Sequence, residues 1–171
     1  RKRGIPIVAV NPMPERALIS FAEPQDIVQM ATFGSTPISS EFVHIRIGGD
    51  RAFLEGIMKA MFEREAAGDT VLDHDFIRGH TVGVDAIRED AMAQDWAGIC
   101  KVSGLEEAQI RRCADIYMRS NATIICYGMG ITQHQMGSQL VQQVSNLLLL
   151  KGNYGKPGAG ISPIRGHSNV Q

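Results

Sequence analysis

The sequence predicts an α/β fold, an open and mainly parallel sheet with helices on both faces. Three observations carry this. Short runs rich in β-branched and apolar residues stand at 5–10, 42–47 and 122–127. Each ends at turn residues, and the last two lead into helical patterns. Glycines close both of those strands, at Gly48-Gly49 and at Gly128-Met129-Gly130, where the backbone of an open sheet turns into a helix and approaches a ligand.

Composition sets the scale. The 171 residues are 44% hydrophobic and 20% charged, enough to bury a core without staples, and one domain spanning 1–171 is expected. A formal net charge of -1 argues against broad attraction to nucleic acid or to an anionic membrane. The longest apolar run, Leu147 to Leu150, is far too short to span a bilayer. Cys100, Cys113 and Cys126 are odd in number and lack C-x-x-C spacing, so they read as reduced, mostly buried thiols and point to the cytoplasm.

The elements follow in order. Arg1-Lys2-Arg3-Gly4 has the form of a helix's last turn, basic residues and then a terminating glycine. With no methionine in front and a polar loop at the back, the chain reads as a piece of a longer protein. Ile5 to Val10 is a strand, with Pro6 best placed at its start. It ends at Asn11-Pro12, which suits either an Asx turn or a side chain that reads a base or ribose. Residues 13–41, broken by Glu23-Pro24, Gly34 and Thr36-Pro37, form a long, partly helical surface excursion.

Phe42 to Ile47 alternates as a strand should and runs into Gly48-Gly49-Asp50 before an amphipathic helix, Arg51 to Ala66. Asp50 has the spacing of a cap for that helix. Asp73 to Thr81 and Gly83 to Gln94 suit shorter helices, Trp96 anchors the helical layer, and Ser103-Gly104-Leu105-Glu106 is a capping box opening a helix through Arg119. His74 and His80, six apart, have poor spacing for two ligands on one helical face and read as surface or packing residues. Met58, Met61, Met118, Met129 and Met136 read as core filler, with Met129 placed to touch a ligand.

Ala122 to Tyr127 suits a strand buried on both faces of a parallel sheet. Most strand-glycine-helix junctions need their glycines only for the turn, but here Gln133 and His134 stand beside the turn. After a long apolar helix, residues 151–160 cannot be regular structure. This loop, 151–171 in all, delivers Arg165, His167, Ser168 and Asn169 to the end of the chain.

Tyr127 to Gly137, Asn146 to Leu150, Gly152-Asn153, Gly155-Lys156-Pro157-Gly158-Ala159-Gly160 and Arg165 to Gln171 together resemble the molybdopterin oxidoreductase family, specifically its formate dehydrogenase-like alpha subunits. Asn11-Pro12, Ser35 to Ser40, Arg46 to Asp50 and Leu72 to Ile77 resemble the same subgroup in the same order.

The resemblance implies a Rossmann-like domain that cradles part of a bis(molybdopterin guanine dinucleotide) carrying molybdenum or tungsten. It implies that Asn11 and Asp50 recognise a guanosine. The family more often has aspartate where Asn11 stands, so contact with ring N–H donors falls to the amide oxygen. Gly128, Met129, Gly130 and Gln133 would line the other dinucleotide, and Gly166, His167, Ser168 and Asn169 would meet the pterin. Arg165 matches an arginine that faces metal and substrate; a guanidinium stays charged and holds formate bidentately. Read from the residues alone, Arg165 is a salt bridge closing the loop.

The same resemblance puts the metal ligands before Arg1, leaves any 4Fe-4S cluster outside this chain, and makes the piece inactive alone. Its partners would be the remaining domains of the parent, an electron-transfer subunit and a small-molecule substrate. Two other classes make different predictions. A stand-alone NAD-type domain needs a Gly-x-Gly-x-x-Gly after its first strand, and Asn11-Pro12-Met13-Pro14 has none. A noncatalytic scaffold predicts that Asn11, Asp50, Gln133 and Arg165 scatter instead of sharing the carboxyl edge of the sheet.

Overall fold

A computed structural model describes residues 4–164. They fall into two compact units, one ending at Ile47 and the other beginning at Gly48.

The first unit is built on a parallel pair, β1 (Val8–Asn11) and β4 (Glu41–His44), in the register Val8↔Glu41 to Asn11↔His44. β1 begins after Pro6, because a proline can donate no ladder bond. Between them run α1 (Arg16–Ile19), β2 (Ser20–Phe21), α2 (Ile27–Thr32) and β3 (Thr36–Pro37), with β2 and β3 antiparallel. The Asp26 carboxylate caps α2, accepting from the Val28 and Gln29 amides at 3.0 and 3.1 Å, and satisfies donors that the first helical turn leaves open.

The second unit centres on α3 (Asp50–Ala66). Read as amphipathic, α3 is instead buried at every residue from Ala52 to Phe62. α5 (Val84–Ala93), α6 (Trp96–Ser103), α7 (Glu107–Arg119) and α9 (Gly137–Leu150) all pack on it. Its polar residues mislead because they are paired: Glu55 accepts from Arg51 at 2.6 Å, and Lys59 donates to the Met92 carbonyl at 3.2 Å. Met58, Met61, Ile110, Leu140, Val144 and Leu148 are all fully buried, each worth roughly 1.5–3 kcal/mol of burial.

α4 (His74–His80) is capped by Asp73, which accepts from Phe76 N at 3.0 Å, and α6 by Asp95, which accepts from Gly98 N at 2.7 Å. The capping box expected at Ser103 does not form. Ser103 ends α6 and donates its hydroxyl to the Ile99 carbonyl at 2.7 Å, while α7 starts after Glu106 without a side-chain cap. Trp96 joins three helices: its indole donates to Glu63 at 3.0 Å, and Arg111 lies 4.4 Å over its ring.

β5 (Ile124–Tyr127) pairs in parallel with β6 (Gly160–Pro163). β6 corrects two expectations, since Gly160 begins a strand and residues 160–163 are not loop. β5 is also not buried on both faces: Ile124 is 55% exposed, and the strand has one ladder partner among the described residues. The α/β class and the parallel pairing stand, seen as a two-stranded ladder in each unit.

Candidate cofactor-binding junction

β5 stops at Gly128, whose extended backbone (φ -116, ψ -158) leads into the four-residue helix α8 (Met129–Thr132). A side-chain carbon on Gly130 would meet nothing within 4 Å, and one on Gly128 only the Ile164 carbonyl at 3.9 Å. The turn therefore presents main chain to open space, a cradle that side chains would otherwise fill. Gln133 follows, its amide donating to the Met129 carbonyl at 2.7 Å and its side chain lying 3.9 Å from the Met129 sulfur. Met129 is 37% exposed and Met136 38%, so these two are not core filler, unlike Met58 and Met61.

A second glycine turn stands against His134. Gly48 has φ +84, and a side-chain carbon there would lie 3.3 Å from Nε2 of His134. His134 Nδ1 accepts from the Met136 amide at 3.3 Å, which in the neutral ring leaves Nε2 as the N–H donor. The imidazole thus lies against the Gly48 turn, four residues along the chain from Gly130. Asp50 opens α3, but the cap position belongs to Gly49 and Asp50 makes no side-chain cap bond. The capping role drawn from spacing is thereby corrected, and a half-buried carboxylate stands in the first turn of a helix, where negative charge is favoured.

Asn11 closes β1 in the first unit. Its Nδ2 donates to the Met13 carbonyl at 2.7 Å, which is not the Asx turn expected, because there the side-chain oxygen accepts from the amide two residues on; that oxygen remains as acceptor. Opposite it, His44 Nε2 donates to the Pro12 carbonyl at 2.8 Å. Arg165, Gly166, His167, Ser168 and Asn169 lie outside the described residues. The chain leads toward them through Ile164, whose amide donates to the Tyr127 carbonyl at 2.8 Å, immediately before the Gly128 turn.

Elsewhere in the second unit, a cleft of about 430 Å³ is lined by residues 70–75, Ser120, Asn121, Lys151 and Lys156, none of them predicted as site residues. At its rim Glu65 accepts from Val71 N at 2.7 Å, from Leu72 N at 3.0 Å and pairs with His74 at 2.5 Å. His80 stacks on Phe76 at 4.8 Å. Both histidines thus do packing and surface work. Burial, and then the neighbouring Lys156, pull the Lys151 ammonium below its ordinary value, against the pull of Asp73. Gly48 was missed as a site residue, because its approach to His134 spans 86 positions of sequence and leaves no local signal.

The family model for molybdopterin oxidoreductase matches residues 20–171. Protein YdeP of Escherichia coli K12 is 50% identical over 99% of this chain and 23% of its own length. The uncharacterized oxidoreductase Rv2900c of Mycobacterium tuberculosis H37Rv is 41% identical over 100% of this chain and 22% of its own. Formate dehydrogenase H of E. coli K12 is 28% identical over 97% of this chain and 22% of its own. Among solved structures, acetylene hydratase from Pelobacter acetylenicus shares the fold, with a TM-score of 0.70 and 15% identity over 92% of this chain and 18% of that one.

The fold is the α/β fold of that solved structure, and the sequence matches one family along most of its length. The chain belongs to the molybdopterin oxidoreductase family, and it spans under a quarter of the length of these curated relatives. No helix of the described residues is long and apolar enough to cross a membrane.

Proposed function

We propose that this chain is a single Rossmann-like domain of a larger formate dehydrogenase-like oxidoreductase of the cytoplasm, and that it binds part of a bis(molybdopterin guanine dinucleotide). The observation that carries the reading is the Gly128-Met129-Gly130 turn, whose main chain faces open space at the end of a parallel strand, in a chain of this family. The residues fit such a ligand. Gly128 and Gly130 leave room for a bulky group against the main chain, and His134 Nε2 and the side chain of Gln133 offer donors to phosphate or pterin. Asp50 supplies a carboxylate acceptor for the N–H edge of a guanine; in the first unit, the amide oxygen of Asn11 is an acceptor for a nucleoside N–H in its own right.

The bound metal would supply two-electron redox chemistry, with electrons leaving through a 4Fe-4S centre outside this chain or a partner subunit. Arg165 would hold formate or a similar small carboxylate bidentately and orient it. Gly166, His167, Ser168 and Asn169 would hold the pterin. The segment itself would position the cofactor and be inactive alone.

The test is made on the full-length protein from a host that makes the cofactor. Metal is measured by mass spectrometry, oxidised pterin by fluorescence, and Arg165→Ala is assayed in parallel. Metal with two pterins per chain supports the cofactor reading, and cofactor retained with formate oxidation lost places Arg165 at the substrate. Absence of both metal and pterin moves the assignment to a noncatalytic α/β scaffold.

A further inference from the structure

We infer that Asn153 is a positioning residue for the Gly128–Gly130 turn, acting through β5; the inference rests on the cofactor reading above. Asn153 stands in the glycine loop, where an amide ordinarily faces water, yet it is 0% exposed. Both ends of its side-chain amide and its backbone N–H are used. Oδ1 accepts from Thr123 N at 3.2 Å, Nδ2 donates to the Tyr117 hydroxyl at 3.1 Å, and its own amide donates to the Leu148 carbonyl at 2.8 Å. Tyr117, itself buried, donates to the Leu147 carbonyl at 2.7 Å. One side chain thereby ties the start of β5 to α7, to the end of α9 and to the loop that leads into β6.

The tie sets a register. Gly160, the first residue of β6, donates to the Thr123 carbonyl at 3.0 Å, so the residue held by Asn153 is also the one on which β6 begins. From there the two strands run in parallel to Tyr127 and Pro163, and Ile164 N closes the far end on Tyr127. At about 3.3 Å per residue, Gly128 lies roughly 16 Å up the strand from Thr123. Proline at 163 can donate nothing, and β5 has no second ladder partner among the described residues. The anchor at Thr123 therefore fixes where the turn stands. The other loop tethers, Lys151 to the Met118 carbonyl and Tyr154 to Ser145, reach helices and do not touch β5.

The experiment compares full-length wild type with Asn153→Leu, which removes both side-chain bonds, Asn153→Asp, which keeps an acceptor for Thr123 N, and Tyr117→Phe, which removes the middle link. Hydrogen exchange is read on cofactor-free protein from a host unable to make pterin. The paramagnetic resonance signature of the half-reduced metal is read on loaded protein. Positioning predicts at least tenfold faster exchange in Asn153→Leu, confined to 123–131 and 160–164. It also predicts an altered metal signature and return toward wild type on both readouts in Asn153→Asp.

Should Asn153→Leu fail to fold, Tyr117→Phe carries the same test with a smaller effect. Exchange rising evenly over residues 48–164, or a metal signature unchanged in every loaded variant, overturns the inference and leaves Asn153 a structural residue. If wild type takes up no metal or pterin, the cofactor reading fails while the exchange arm still decides whether Asn153 holds the turn.

Discussion

Gly48 and His134 stand so close that a methyl group on the glycine would lie 3.3 Å from the imidazole Nε2, and the glycine already holds φ +84. Gly48→Ala therefore meets two obstacles, a left-handed backbone that side chains rarely adopt and a ring that must shift. We expect it to destabilise the full-length protein by about 1–3 kcal/mol. Urea unfolding with an unchanged slope but a lower midpoint checks this; an unchanged midpoint shows that the turn relaxes freely.

Gly56 lies mid-helix in α3, where alanine ordinarily stabilises by roughly 1 kcal/mol. Here a side-chain carbon would lie 2.9 Å from Ile110 Cγ2 and 3.1 Å from Ile99 Cγ2. Overpacking of that kind costs about 1–3 kcal/mol and outweighs propensity, so Gly56→Ala should lower the melting temperature. A melting temperature that stays level or rises shows that the two isoleucines give way and helix propensity wins.

Glu65 predicts an acid-sensitive stability. Burial alone would raise its carboxyl, but the Val71 amide, His74 and the Leu72 amide outweigh it and hold it below the ordinary 4.5. With the folded value depressed, the stabilisation is complete above pH 4.5 and disappears as pH falls through the lower folded value. Glu65→Gln should cost about 1–3 kcal/mol at pH 7 and flatten the stability profile below pH 4.5. Equal acid slopes in variant and wild type would exclude Glu65 as a source of that sensitivity.

Asp50 separates structure from binding. With no cap bond to lose, Asp50→Ala should cost under about 1 kcal/mol, the scale of a first-turn carboxylate in the helix field. If the carboxylate meets guanine, the same change should lower the guanine nucleotide released from purified full-length protein several-fold. Nucleotide at the wild-type level removes Asp50 from the site.

What the sequence made legible was local. The helix expected over Asp73 to Thr81 forms as His74–His80, and the strand-to-helix turns at Gly48 and Gly128 were readable from glycines after β-branched runs. What it hid depends on partners distant along the chain. β6 contains glycine and proline and looks like loop until β5 supplies its ladder. Glu55 and Lys59 made α3 look half solvated, although each carries its own partner inward. Ser103 read as an N-cap because its own spacing fits, and the Ile99 carbonyl took its hydroxyl instead. The contact of Gly48 with His134 has no local signature at all.

The burial of α3 also sets a timetable for synthesis. Its apolar surface leaves the ribosome with Ala66, but the last wall that covers it, α9, ends at Leu150. At about 5–20 residues per second, the roughly eighty intervening residues leave that surface incompletely covered for about 4–17 s. During this interval Phe53, Met58, Met61 and Phe62 form a sticky stretch on a growing chain. A chaperone that shields nascent apolar helices, or slower and colder expression, should therefore raise the yield of folded protein more than any change to the finished surface.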